Sequence, residues 1–467
     1  MVKSAHFSFE QNLTPILALL GALALALAGS FLSLIVVQGI FILLWIGLLM
    51  SLVGNRGADG YAPSLFLFIT FTVFIFSRVL ISLVLGIGDY KTLDWMIFRT
   101  LDAGEAKGLV VVLSVFILGA FAGFHRSVTG SRVVRSEIQM RLGLLLMMAG
   151  APFCLIKAYH AYKLLGDVGY MGTYLMDGGA DQGLVSVMAS FAILGFYMFA
   201  ASGPRRKSLM AGYVLFLFMI ASTLALGSRG TFVCNLIAGT WLSTRIGKLQ
   251  FRPMALLPLL LGLMVLMDWF GSARLGKAFE IQNVFLGMTW FVYTQGVSLI
   301  VPAVVVSGGL GLGLKDGLLT FLTPLEGILH VLTGTGAGQS AIPAANSTSL
   351  AAKISYALNP GLYAKGFGIG TALIAEAYLW GGLVGVFLAG VLIFKLLGKF
   401  HSWGERSAEN LFVFSYVLPF ILFLPRETTF FFLVPLTKAL LFRAVLIQLM
   451  DWSDERAQRT APVSGCP

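Results

Sequence analysis

The chain alternates long apolar runs with short polar connections. A helix that crosses a membrane needs about 20 mostly apolar residues, and many of the runs are of that order. Leu13 to Ser30 and Phe31 to Val53 predict two spans joined by an Ala28-Gly29-Ser30 turn. Pro63 to Gly86 predicts a third, with Arg78 inside it, and Gly108 to Phe124 a fourth, after a polar loop from Asp89 to Lys107. Leu142 to Leu164, Leu184 to Ala201, Leu209 to Leu226, Thr231 to Thr244 and Met254 to Phe270 continue the series; Ile369 to Leu397, Leu411 to Leu424 and Phe430 to Met450 close it. The expected fold class is an all-α polytopic membrane protein of about 12 transmembrane helices. Residues 1–467 form one membrane-embedded domain in this reading.

Gly271 to Gly368 is the longest interval without a convincing span, and it reads as one long loop region containing short helices. Within it, Phe285 to Val306 is apolar enough either to cross or to re-enter; paired with Leu318 to Leu332 it would raise the count to about 14. Gly336 to Ser349, rich in Gly, Ala, Ser, Thr and Asn, predicts a mobile loop tip that could gate access.

Composition agrees with the pattern. Hydrophobic residues make up 58% and charged residues 11% of the chain, with a mean hydropathy of +0.89, whereas soluble domains carry about 25% charged residues. The net charge of +11 changes the picture only through its placement. Arg126, Arg132, Arg135 and Arg141, then Arg205-Arg206-Lys207, then Arg245, Lys248 and Arg252, then Lys399 and Arg406 occupy short connections on one side of a 12-span topology. That bias marks the cytoplasmic side and makes nucleic acid an unsuitable partner. Both termini then lie in the cytoplasm, and Gly166 to Asp181, which lacks Lys and Arg, lies outside with the 271–368 region. Cys154, Cys234 and Cys466 form no CxxC pair, so neither a disulfide framework nor a thiolate metal site is expected. The apolar run after Thr14 leads into another with no cleavage-site pattern, so no cleavable leader is expected.

Basic residues on the opposite side break this bias and are the candidate chemistry. Arg78 sits inside a span, where a charge costs about 2.5–3.5 kcal/mol unless paired or hydrated; its alternatives are an ion pair between helices, snorkelling to the interface, or a ligand contact. Lys157 and His160 share a helix face with Lys163 near, and the alternative for them is an aromatic-basic interface belt with Tyr159 and Tyr162. Arg229 lies in the tight Gly227-Ser228-Arg229-Gly230 connection. Arg274 and Lys277 follow a span end three residues apart, and Arg426 occupies the turn Pro425-Arg426-Glu427-Thr428. Guanidinium forks suit bidentate contact with phosphate oxygens, and each hydrogen bond to a charged group contributes roughly 1.5–3 kcal/mol. Four span ends that each deliver an arginine to one side therefore suggest a lipid-diphosphate site. His160 has no partner at ligand spacing, so no metal is expected. Gly308 to Gly313 follows no strand, so no nucleotide loop is expected.

Three ordered pieces carry a resemblance: the Ser228-Arg229-Gly230 turn between two spans, a long loop leading into Gly368-Ile369-Gly370-Thr371-Ala372-Leu373-Ile374-Ala375-Glu376-Ala377-Tyr378-Leu379-Trp380-Gly381-Gly382, and an arginine-bearing turn before the last span. This arrangement resembles the O-antigen polymerase family, related to the O-antigen ligases, over roughly the C-terminal half; Leu322-Thr323-Pro324 lacks the arginine often found in that loop. The resemblance implies a GT-C-like, metal-independent glycosyltransferase with no cofactor. It would join undecaprenyl-diphosphate-linked repeats at the periplasmic face of a bacterial inner membrane, alongside a chain-length regulator and a repeat-unit flippase. It implies roles for Arg229, Arg274 and Arg426, and Tyr378 is counted with Arg78, Lys157, His160 and Lys277 among the substrate contacts. Asp316, Glu326, His330, Glu376 and Glu427 are the candidate bases, and spacing does not choose among them. The competing functions are a flippase or transporter of lipid-linked oligosaccharide, a ligase-type or peptidoglycan-type polymerase, and a structural membrane subunit.

Overall fold

The computed structural model describes residues 2–54, 63–94, 97–124, 135–175, 184–225, 229–246, 262, 284–326, 329, 341–365 and 367–460. Among them, nine helices are long and apolar enough to cross a membrane, and the protein is an all-α polytopic membrane protein. The helices are α1 (Val2–Ala28), α2 (Leu34–Gly54), α3 (Pro63–Leu85), α4 (Ala103–Gly123), α5 (Glu137–Leu175), α6 (Leu184–Ala201), α7 (Arg206–Ala225) and α8 (Arg229–Arg245). They continue with α9 (Leu286–Val306), the short α10 (Leu314–Leu319), α11 (Ala341–Asn346), α12 (Leu350–Leu358) and α13 (Pro360–Tyr363), then α14 (Leu373–Gly404), α15 (Ala408–Leu422) and α16 (Leu433–Thr460). The expected span at Met254 to Phe270 lies outside the described residues.

Local chemistry sets several ends. Asp102 and Glu105 form a reciprocal capping box that starts α4, with Glu105 N donating to Asp102 Oδ1 at 2.8 Å and Asp102 N to Glu105 Oε2 at 3.1 Å. The loop before it holds a two-residue hairpin, β1 (Thr92–Leu93) with β2 (Arg99–Thr100), which the apolar pattern does not announce. Within α3, residues Thr72–Phe76 form a π turn, a wider turn that re-aims the residues following it.

α4 packs against α1, α2 and α14. It crosses α14 at glycines. A Cβ on Gly390 would lie 2.6 Å from the Phe116 carbonyl oxygen and 2.9 Å from the Ala120 nitrogen, so the two backbones touch where a side chain would stand. Gly390→Ala is expected to cost ~1–3 kcal/mol through this overpacking, read as a lower thermal unfolding midpoint in detergent. Gly39→Ala, whose Cβ meets nothing within 4 Å, should not lower it.

Contacts sort the helix ends into two sets. At the first end, Lys107 Nζ donates to Ser30 O at 2.8 Å, Gln38 Nε2 to Tyr90 Oη at 2.7 Å, and Thr429 N to Glu376 Oε2 at 3.0 Å. At the second, Gln139 Nε2 donates to Ala408 O at 3.1 Å, Arg443 Nε to Asn410 Oδ1 at 2.8 Å, and Arg245 pairs with Glu405. α9 begins and ends its contacts at the first end. Tyr293 Oη donates to Asp89 O at 3.1 Å, while farther along the chain Val306 packs on Gly108 and Gly309 lies against Arg99. These contacts fasten the middle and the far end of α9 to the first end of the bundle.

Two expectations are corrected. The helix α5 runs on to Leu175, where a loop from Gly166 was expected; glycines cost a helix about 1 kcal/mol each but do not end it without a cap or a proline. The Gly336 to Ser349 segment is not simply a loop tip. Its described part forms α11, and Thr348 N donates to Glu326 Oε2 at 2.7 Å with Ser347 Oγ donating to Glu326 Oε1 at 3.0 Å.

Candidate active site

Beyond α15 the chain makes a 3-10 turn, Leu424–Arg426, with Arg426 N donating to Phe423 O at 2.9 Å. Glu427, Thr428 and Thr429 follow and lead toward α16. The start of α14 clamps this turn from one side. Glu376, 0% exposed, accepts from Thr371 Oγ1 at 3.1 Å and from Thr429 N at 3.0 Å, so one carboxylate ties two backbone segments together. Gly370 approaches from the same side at φ +73°, where a Cβ would stand 3.1 Å from Arg426 O. The positive φ and the close approach both require glycine.

α3 and α8 hold the other side. Gly230, second in α8, packs so tightly on the Phe423 ring that a Cβ would collide with it. Phe74, from the π turn of α3, meets Phe423 edge-on at 5.9 Å and 88°. Arg229 therefore begins α8 beside the residue that lies one turn before Arg426, and four distant segments converge there.

Arg229, Arg426 and Glu427 are all half-buried. Glu427 Oε1 accepts from Thr428 N at 3.0 Å. Burial pushes the Glu427 carboxyl above the usual carboxylate range, and the Thr428 N–H and the Arg426 charge offset this only in part.

Asp316 and Glu326, two other candidate bases, have partners of their own. Burial alone would raise the Asp316 carboxyl, but the Lys353 ammonium at 2.8 Å and the Gly313 N–H at 3.2 Å outweigh it and hold the group below the usual range. Glu326 holds Ser347 and Thr348, as above. His330, Arg274 and Lys277 lie outside the described residues.

Arg78 sits apart from the arginine turn in its bonding. It is 4% exposed; Nη1 donates to Asp94 Oδ1 at 2.7 Å, Nε donates to Tyr293 O at 3.3 Å, and the guanidinium lies 4.8 Å from the Tyr293 ring centroid. The ion pair ties α3 to the hairpin loop rather than to another helix, and the bond to Tyr293 O fastens α9 to α3. His160 is exposed on α5 with its ring 6.3 Å from that of Tyr159, and Lys157 is half-buried one turn before it. Tyr378 is half-buried on the segment that carries Glu376. Lys438, in α16, donates to Ser190 Oγ at 2.6 Å and lies 4.4 Å from the Phe191 ring centroid.

The sequence did not single out Thr428 and Thr429. Both are buried, at 3% and 9% exposure, and the Thr428 hydroxyl has no hydrogen-bond partner. A buried unpaired polar group costs about 1–3 kcal/mol. Their one visible signal was two hydroxyls in succession directly after an Arg-Glu pair. Among the described residues, no group of three or more His, Cys, Asp or Glu side chains is arranged to hold a metal ion.

The fold and the clamped Arg-Glu turn define a polytopic membrane protein with a candidate anion site where helix ends meet. The family model described as O-antigen polysaccharide polymerase Wzy matches residues 13–451, and the chain belongs to that family. Membership assigns it, at a general level, the polymerisation of lipid-linked O-antigen repeat units within the membrane. No curated protein and no solved structure matches the chain.

Proposed function

We propose that the protein is a metal-independent glycosyltransferase that transfers a growing glycan from undecaprenyl diphosphate to the terminal sugar of another lipid-linked repeat. The reaction would run at the periplasmic face of the inner membrane, with both termini cytoplasmic; a chain-length regulator and a repeat-unit flippase would act beside it. The observation that carries this reading is the packing of Gly230 and Gly370 on the two flanks of the Phe423–Arg426 turn, which gathers Arg229 and Arg426 from distant parts of the chain.

In this reading Arg426 and Arg229 bind the diphosphate and neutralise the charge that develops as it leaves. The acceptor hydroxyl oxygen bonds to the anomeric carbon, the bond from that carbon to the diphosphate oxygen breaks, and undecaprenyl diphosphate departs with the electron pair. The hydroxyl proton passes to the Glu427 carboxylate as general base. Arg78 supports α9 through Tyr293 and the hairpin through Asp94 rather than touching the anion. The loop region covers the site against water, which would otherwise compete as acceptor.

Purified full-length protein in nanodiscs, supplied with lipid-linked repeats, should yield a ladder of longer glycans on a gel. Movement of the lipid between leaflets without elongation would overturn the reading in favour of a flippase.

A further inference from the structure

Three aromatic rings stand beside the Arg426 turn without a part in the mechanism above. Phe321 and Phe430 stack at 4.3 Å between centroids and 26° between planes. Trp380 lies 5.4 Å from Phe321 at 33° and 5.8 Å from Phe430 at 34°. The rings come from three places: the 3-10 turn after α10, the start of α14, and the residue directly after Thr429. Their orientation is fixed. Trp380 Nε1 donates to Gly317 O at 2.9 Å, and Gly317 gives the indole room, since a Cβ there would lie 2.9 Å from Trp380 Cδ1. Phe321 is the open member, 47% exposed.

An apolar surface alone would suit a lipid chain equally well. A neighbouring hydroxyl decides between the two. Thr428 is buried and its hydroxyl has no hydrogen-bond partner, and it lies two residues before Phe430 in the chain. A hydrocarbon chain leaves it unsatisfied. A sugar ring supplies both kinds of contact, C–H bonds on its face and hydroxyls on its edge. The helix is broken next to Trp380, at Gly381 and Gly382, where Gly382 takes φ +57° and ψ −138°, so the segment bearing Trp380 and Glu376 is a separate unit from the rest of α14.

We propose that Phe321, Trp380 and Phe430, with the Thr428 hydroxyl, form a sugar-ring subsite next to the Arg426 turn. It takes a pyranose of the lipid-linked repeat and fixes it relative to the diphosphate. The proposal rests on the diphosphate reading of Arg426, and the test separates the two.

Wild-type protein, Phe321→Ala, Phe321→Trp, Thr428→Val and Arg426→Ala are compared in nanodiscs. The two probes are lipid-linked repeat extracted from the native membrane and undecaprenyl diphosphate without sugar. Phe321→Ala should raise KM for the repeat roughly tenfold, the scale of losing one stacked ring, and leave binding of the sugar-free lipid unchanged. Phe321→Trp should restore the KM, and Thr428→Val should raise it. Phe321 is surface-exposed, so its variants should keep the wild-type unfolding midpoint. An unchanged KM in Phe321→Ala overturns the subsite. Equal weakening of both lipids overturns it too, because the rings then hold the lipid chain. Sugar-free lipid that binds Arg426→Ala as tightly as wild type defeats the diphosphate reading instead, and the Phe321 comparison still judges the subsite.

Discussion

Arg426→Ala should abolish glycan elongation, with kcat reduced at least roughly 10²–10³-fold, the loss seen when one preorganised charge donor is removed from a transition state. The side chain stands on a turn fixed by contacts that do not involve it: Glu376 holds Thr429, and Gly230 holds Phe423. The variant should therefore fold, and an unchanged unfolding midpoint checks this. Arg426→Lys should recover only part of the rate, because a single ammonium lacks the planar fork that grips two phosphate oxygens. Arg229→Ala should show a loss in the same direction. Elongation at the wild-type rate by Arg426→Ala would remove the basis for the proposed chemistry.

What could be read in the sequence was set by the range of each interaction. Apolar runs of bilayer length announced eight of the nine candidate spans, since the signal is local and repeated over about 20 residues. Length cannot tell a crossing helix from one that dips and returns, and nothing local announces the contacts of α9 with Asp89 and Gly108. Arg229 and Arg426 stood out because they opposed the charge bias of the connections, a one-dimensional property. Arg78 opposed it equally, yet its partner Asp94 lies 16 residues away in an unannounced hairpin, and nothing local predicts that pair. Glu376 meets Thr429 across 53 residues. The surroundings of three of the candidate bases depended on such partners: Lys353 with Asp316, Thr348 with Glu326, and Thr371 and Thr429 with Glu376. The aromatic trio joins three segments and was likewise invisible as a unit.

Glu427→Gln should lower kcat by roughly 10²–10⁴-fold, the usual contribution of a positioned general base, and should change the pH profile as well as the rate. Burial favours the neutral acid, so the carboxyl titrates above the ordinary glutamate value of about 4.3. A base works only when deprotonated; wild-type activity should therefore fall as pH drops through this raised pKa, giving an acid limb shifted toward neutrality. Glu427→Gln should leave a low rate without that limb. Stability should respond in the opposite sense. Between the unfolded and folded pKa values the folded protein binds more protons, so this group's contribution is fully present below the unfolded pKa and is lost as pH rises through the folded one. Wild type should thus lose stability across that window relative to Glu427→Gln, while its activity rises. An acid limb that persists unchanged in Glu427→Gln would assign the base to another group. A limb lost together with activity, with the unfolding midpoint preserved, would tie the proton transfer to the residue next to Arg426.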